Sequence, residues 1–262
     1  MEEIYKCNID ERGVAQVKLN RPEIHNAFND ELIIKLTQLF SDLDRNDEVR
    51  IIVLTGEGRS FCAGADLNWM KSMINYSEKE NINDSKKLFK MFDTINECTK
   101  PVIGKINGHA LGGGVGLVAV CDIAVTHNKS KFGFTETRLG LVPAVISPFC
   151  MAKIGESNAR AWFLSGEMFL GKKAQEMGLV HEVVEVDQLD QRVEELVVSQ
   201  LKAGPIATGK AKLLIKSIMA LPKDKVEEYT CSTIAACRTS EEGQEGMNAL
   251  LEKRKPNWIN HD

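Results

Sequence analysis

The strongest constraint in this chain is Lys105-Ile-Asn-Gly-His-Ala-Leu-Gly-Gly-Gly-Val-Gly-Leu-Val-Ala-Val-Cys-Asp122, where an apolar strand runs into clustered glycines and emerges as an apolar helix of small residues. Glycines at such a junction let backbone approach a ligand closely and leave free N–H groups at the positive end of a helix. The pattern predicts a strand over 101–108, a helix over 113–120 and a place for negative charge between them.

Two phosphate-binding readings can be tested against the residues. A Walker A loop needs Lys-Ser or Lys-Thr after its last glycine, and Val115 follows Gly114. A dinucleotide fingerprint fits Gly114-Val-Gly-Leu-Val-Ala119, but it should be followed about 20 residues on by an acidic residue ending the next strand. That strand, predicted over 123–126, runs into His127-Asn128; Asp122 comes too early and Glu136 lies beyond a further turn. Glycines serving only close packing stay open as a reading, as does an oxyanion site. The latter needs two converging N–H donors. A second glycine turn exists in Thr55-Gly-Glu-Gly-Arg-Ser-Phe-Cys-Ala-Gly-Ala-Asp66, directly after the apolar strand predicted over 51–54.

Phe61-Cys-Ala-Gly-Ala-Asp66, Asn107-Gly-His-Ala-Leu-Gly-Gly-Gly114, Cys121-Asp-Ile-Ala124 and Phe132-Gly-Phe-Thr-Glu136 resemble, in order and spacing, the enoyl-CoA hydratase/isomerase (crotonase) family. Asn20-Arg-Pro22, Asn26-Ala27 and Glu252-Lys-Arg-Lys255 extend the likeness over essentially the whole chain. The resemblance implies an α/β fold, a ClpP/crotonase-like spiral of ββα units, with a C-terminal helical region that packs in trimers or dimers of trimers. It divides the chain into a core over 1–203 holding an acyl-CoA site and a helical region over 204–262 for oligomerisation and closure of the CoA site.

Composition narrows the partners. The formal net charge of −4 comes from interspersed acidic and basic residues and provides no field for nucleic acid or an anionic membrane. The first residues do not read as a signal peptide and no apolar run is long enough to span a bilayer, so the expected location is cytoplasmic. Seven cysteines, at 7, 62, 98, 121, 150, 231 and 237, show no C-x-x-C or paired-histidine spacing; neither a metal site nor a disulfide framework is expected.

Along the chain, strands over 3–9 and 14–20 flank the turn Asp10-Glu-Arg-Gly13, and a helix with apolar stripe Leu32, Ile33, Leu36, Leu39, Phe40 and Leu43 begins near Asn29. Helices are predicted over 67–73 and 78–98, then over 146–154, 156–165 and 171–177. A strand over 178–184 and helices over 187–202, 207–219, 223–238 and 240–253 complete the reading.

The family stabilises the enolate of an acyl-CoA thioester with backbone N–H groups, which by motif position are those of Ala65 and Gly113. Glu136 aligns with one family glutamate and lies among apolar residues, where desolvation raises a carboxyl pKa toward the working pH. The second family glutamate is replaced by Gly116. By resemblance the thioester contacts His25, Ala63, Ala65, Asp66, Leu67, Gly113, Gly116 and Lys253, the last donated by a neighbouring subunit, with no cofactor beyond the coenzyme A of the substrate.

Ala63-Gly-Ala-Asp-Leu-Asn-Trp-Met-Lys-Ser-Met73 and Arg138-Leu-Gly-Leu-Val-Pro-Ala-Val-Ile-Ser-Pro148 are similar to the methylglutaconyl-CoA hydratase branch. The expected reaction is hydration of an enoyl-CoA, with 3,2-enoyl-CoA isomerisation as the alternative that Gly116 permits. A dinucleotide-dependent oxidoreductase and an inert assembly protein are the readings from other classes. No cation for a distal carboxylate is evident; Lys71 and Arg138 are the nearest guesses.

Overall fold

A computed structural model describes residues 3–259. The ends of the expected division, residues 1–2 and 260–262, lie outside the described residues. Strands β1 (Tyr5–Ile9) and β2 (Val14–Leu19) form the expected hairpin. Its turn is tied by Asp10, whose carboxylate accepts from the N–H groups of Arg12 and Val14. Helix α1 (Asp30–Arg45) starts where Asn29 caps it by accepting from Leu32 N, and it buries Leu32, Ile33, Leu36, Phe40 and Leu43 along one face.

The chain then repeats one pattern, a long strand, a short strand and a helix. First come β3 (Ile51–Gly56), β4 (Ser60–Cys62) and α2 (Leu67–Met73), followed by α3 (Glu78–Glu97). Next are β5 (Val102–Ile106), β6 (His109–Leu111) and α4 (Gly113–Ala119). The third repeat has β7 (Ile123–His127), β8 (Lys131–Gly133) and a 3-10 turn, Thr135–Leu139. Helix α5 (Ser147–Ser165), β9 (Met168–Leu170), α6 (Gly171–Glu176), β10 (Glu182–Val184) and α7 (Leu189–Leu201) follow. The C-terminal helices are α8 (Pro205–Ala220), α9 (Lys223–Thr239) and α10 (Glu241–Leu251).

The long strands form a sheet of order β1-β2-β3-β5-β7-β10, parallel except for β1 against β2. Every residue of β3 is buried, as expected of a central strand covered on both faces. Ile52 and Leu54 join the main core with α1, α3 and α4, whereas Ile51 and Val53 face Leu189, Val193 and Val197 of α7. The short strands form a second sheet, β4-β6-β8-β9, in which β4, β6 and β8 are parallel. This is the spiral of ββα units, and the junctions that follow β4, β6 and β8 all lie at one end of the small sheet.

Several boundaries differ from the sequence reading. Three-residue strands have too few positions to show a period, so β4, β6, β8 and β9 went unread within glycine turns. The expected strand over 178–184 shrinks to β10, because the N–H groups of Leu179 and Val180 return to Ala174 O. The expected helix over 187–202 opens as a 3-10 turn at Val186–Gln188, and the last helix ends at Leu251 rather than 253. The helices over 146–154 and 156–165 run on as α5, broken at Gly155 with φ 70° and ψ 166°.

In α8 to α10, Ala249 alone is buried, while Met219, Leu250 and Leu251 are 84%, 78% and 79% exposed. Among the described residues no helix is long and apolar enough to cross a membrane, and no three His, Cys, Asp or Glu side chains group as a metal site.

Candidate active site

The two glycine turns meet at the end of the small sheet. After β4, Ala63 N donates to His25 O at 3.0 Å, and Gly64 takes φ +88°. Phe28 N then donates to Gly64 O at 2.8 Å and Asp66 N to Phe28 O at 3.0 Å, a parallel bridge between Phe28 and Ala65. In such a bridge the N–H of the residue opposite faces the other way, so that of Ala65 is directed away from Phe28. After β6, Gly112 adopts φ 50° and ψ −123°, a conformation open to glycine alone, and Gly113 begins α4. A first-turn N–H has no acceptor within its helix.

The closeness of the turns is measurable at the glycines. A Cβ on Gly64 would lie 3.5 Å from Gly113 N and 2.7 Å from Leu111 O; one on Gly114 would lie 2.1 Å from Cys62 O. Among the described residues, neither Ala65 N–H nor Gly113 N–H donates to any acceptor.

Glu136 stands in the 3-10 turn after β8, its backbone O accepting from Leu141 N at 3.0 Å. Its side chain reaches the second glycine turn, where a Cβ on Gly112 would meet Oε1 at 3.2 Å. Oε2 is buried and has no hydrogen-bond partner among the described residues. Burial pushes the Glu136 carboxyl above the usual carboxylate range, against a smaller lowering by its own backbone amide. Among the described residues no ion pair joins Glu136 to Arg138 or Lys131, so it is not a paired surface charge, and Arg138 Nε approaches Ser165 O at 3.5 Å. Buried Cys150 lies close enough for the Glu136 charge to add to the effect of burial in raising its thiol pKa. Ala65, Gly113 and Glu136, far apart in sequence, are therefore neighbours.

Gly116 is enclosed, and does not present an open surface. A Cβ there would stand 2.4 Å from Ile146 Cγ2 and 2.9 Å from Phe92 Cε1. Ile146 comes from the Val-Pro-Ala-Val-Ile-Ser-Pro run within residues 138–148, one of the two branch-like stretches of the sequence. Phe92 also meets Phe28 edge-on, with ring centroids 6.4 Å apart, and Phe28 meets Trp69 in the same way at 6.3 Å. Sequence reading missed Phe28, Phe92 and Trp69 as the aromatic packing behind these turns. Their only signal was helical or strand-edge apolar spacing, which does not distinguish a site wall from ordinary core.

The remaining candidates fall into different environments. Asp66 is committed within the protein: Oδ2 pairs with Arg21 Nη2 at 2.7 Å, Oδ1 accepts from Asn68 N at 2.7 Å to cap α2, and its N–H serves Phe28. His25 has φ 56°, with Nδ1 3.0 Å from Ser60 Oγ and Nε2 3.3 Å from Arg59 Nη2. Leu67, the first residue of α2, is 81% exposed. Lys253 follows α10 with φ 57°, exposed, and no hydrogen bond or ion pair among the described residues links its side chain to the turn at 63–67.

Comparison with known proteins adds context. The enoyl-CoA hydratase/isomerase family model matches residues 10–261. The chain is 31% identical over 254 residues to the 2,3-dehydroadipyl-CoA hydratase of Escherichia coli, covering 95% of this chain and 96% of that protein. It is 28% identical over 251 residues to the crotonyl-CoA hydratase of Syntrophomonas wolfei, covering 95% of each. The crystal structure of an enoyl-CoA hydratase from Shewanella pealeana superposes with a TM-score of 0.94 at 35% identity, covering 98% of this chain and 96% of that one.

Proposed function

The chain belongs to the enoyl-CoA hydratase/isomerase family, and from that premise we propose that it adds water reversibly across the 2,3 double bond of an enoyl-CoA, using Glu136 as its single carboxyl acid and base. The observation that carries this reading is Glu136 Oε2, buried and, among the described residues, without a partner beside two unused backbone donors. Burial raises the Glu136 pKa, which makes the carboxylate a stronger base that can accept a proton and return it.

In the hydration direction Glu136 takes a proton from water as the water oxygen bonds to C3. The displaced electron pair gives an enolate whose oxygen is held by the N–H groups of Ala65 and Gly113, each such donor contributing about 3 kcal/mol to the transition state in comparable sites. Glu136 then delivers the proton to C2, so water is added whole and nothing else is consumed. Backbone donors suit this step because they cannot titrate.

A branched dicarboxylic enoyl-CoA such as 3-methylglutaconyl-CoA is our proposed substrate. Support comes from the branch-like segments around Trp69 and Ile146 and from the E. coli relative, whose named substrate is the CoA ester of an unsaturated dicarboxylic acid. For the CoA moiety we assign Ala63, Ala65, Leu67, His25 and Lys253, with Asp66 shaping the turn through Arg21. The exposed apolar residues of α8 to α10 support a trimer or a dimer of trimers, in which Lys253 would serve a neighbouring site. Seven free cysteines fit the reducing cytoplasm. We assign no cofactor besides the coenzyme A of the substrate.

The glycine at 116 favours one second reading, 3,2-enoyl-CoA isomerisation, in which Glu136 moves a proton between C4 and C2. Incubation with 3-methylglutaconyl-CoA, crotonyl-CoA and a 3-enoyl-CoA, followed by liquid chromatography that resolves the double-bond isomers with mass detection, separates the two. Gain of one water by a 2-enoyl thioester supports hydration; conversion of the 3-enoyl thioester without change of mass, and no gain elsewhere, replaces it with isomerisation.

A further inference from the structure

Trp69 is the third residue of α2, the helix that begins just beyond Ala65 and is capped by Asp66. It is 7% exposed, and its indole Nε1 is fully buried with no acceptor among the described residues. Buried tryptophan N–H groups ordinarily find a partner, since an orphaned donor loses its water and gains nothing. If packing alone mattered, a phenyl ring would cover the same ground without that cost.

The surroundings locate the orphan. Trp69 meets Phe28 edge-on at 68°, and the Phe28 ring lies against the second turn, where a Cβ on Gly113 would stand 2.3 Å from Phe28 Cζ. Phe92 also meets Phe28 edge-on and, with Ile146, fills the space beside Gly116. The result is an apolar wall that carries the Trp69 donor, unpartnered among the described residues, near the oxyanion turns, the composition of a site that fixes a ligand by a few placed polar groups.

Among the described residues Lys71 lies exposed on α2 with no ion pair, and two other cations are occupied elsewhere. Arg21 donates to Asp66 and, through Nη1, to Ala27 O at 2.6 Å, and Arg138 is directed to Ser165 O.

We propose that Trp69 is a specificity-determining residue, its indole N–H donating to an oxygen at the far end of the acyl group, so that the preferred enoyl-CoA carries an acceptor such as a carboxylate beyond C3. This rests on the enoyl-CoA reading above. It gives that task to a buried neutral donor in place of the exposed Lys71 or Arg138, and a hydrogen bond from N–H to a carboxylate is charge-assisted.

The test compares kcat/KM for 3-methylglutaconyl-CoA and crotonyl-CoA in the native enzyme and in Trp69→Phe, which keeps an aromatic ring and removes the N–H. The expected result is a fall of roughly 10- to 100-fold for the carboxylated substrate, mostly in KM, with crotonyl-CoA within about twofold. Equal losses on both substrates, or no loss on either, overturn the proposal while leaving the enzyme a hydratase. A native enzyme silent on both overturns the enoyl-CoA reading and this proposal with it.

A second measurement needs no variant to be active: the indole N–H resonances of the three tryptophans are followed by NMR in the native protein during titration with glutaryl-CoA or butyryl-CoA. A downfield shift of the Trp69 resonance with glutaryl-CoA alone supports the assignment; an identical response to both removes it.

Discussion

Gly116 and Ile146 are packed so closely that a Cβ on the glycine would stand 2.4 Å from Ile146 Cγ2. Phe92 closes the same space at 2.9 Å. The missing second carboxylate is thus part of a packed wall, and a glutamate cannot be restored by a single exchange. Gly116→Glu is expected to cost about 3 kcal/mol or more, from overpacking and an unpaired buried charge. Gly116→Glu with Ile146→Gly should recover part of that loss. Urea unfolding at neutral pH measures both; a single variant as stable as the native chain would mean the wall yields easily.

Gly113→Ala separates helix propensity from site geometry. Alanine in a helix is favoured over glycine by about 1 kcal/mol, yet here its Cβ would lie 2.3 Å from Phe28 Cζ. The backbone must shift, carrying the proposed oxyanion donor with it. The expected outcome is no gain in stability and a fall in kcat of about 100-fold, partly rescued by Phe28→Leu. Steady-state kinetics on the preferred thioester would decide it.

Glu136→Gln tests both chemistry and linkage. Turnover should fall by roughly 100- to 10,000-fold, and the native kcat/KM should decline on the acid side at a pH above the ordinary carboxylate range. For stability the sign is opposite. Because the folded-state pKa is raised, no penalty exists below the unfolded value; it develops as pH rises through the folded value and is complete above it. Glu136→Gln should therefore melt above the native protein at about pH 8 and lose that advantage near pH 4. An unchanged difference across that range would show that the carboxyl is not perturbed.

The Arg21 and Asp66 side chains are 14% and 9% exposed and form an ion pair at 2.7 Å. Removing one charge leaves the other buried, so Asp66→Asn should destabilise by about 3 kcal/mol even though the amide oxygen can still cap α2. Arg21→Met with Asp66→Asn should cost less than the sum of the two single changes. A double-mutant cycle in urea gives the coupling, and strict additivity would contradict it.

Leu250 and Leu251 close α10 with most of their surface exposed. If α8 to α10 meet other subunits, Leu250→Asp with Leu251→Asp should move the sedimentation coefficient from an oligomer toward a monomer. Activity should fall with dilution, since Lys253 follows two residues later and its proposed site is on a neighbour. A native chain that sediments as a monomer would remove the subunit-sharing assignment.

The order of long elements was determined by local chemistry and could be read directly. Helix α1 follows from the Asn29 cap and the apolar stripe from Leu32 to Leu43, and α5 and its break follow from periodicity on both sides of Gly155. The two glycine junctions were legible because strand-to-glycine-to-helix transitions are features of contiguous sequence, whereas Glu136 was singled out by its resemblance to a family glutamate as well as by its apolar neighbours.

Tertiary structure alone decided how these pieces meet. The small sheet that brings Ala65, Gly113 and Glu136 to one edge is built from three-residue strands, each too short to have a period, and exists only because they pair. The enclosure of Gly116 by Phe92 and Ile146, the engagement of Asp66 by Arg21 and the unpartnered indole of Trp69 are likewise relations between distant positions. Periodicity and propensity act over a few residues, whereas packing and hydrogen-bond satisfaction are settled only when separate segments compete for the same space.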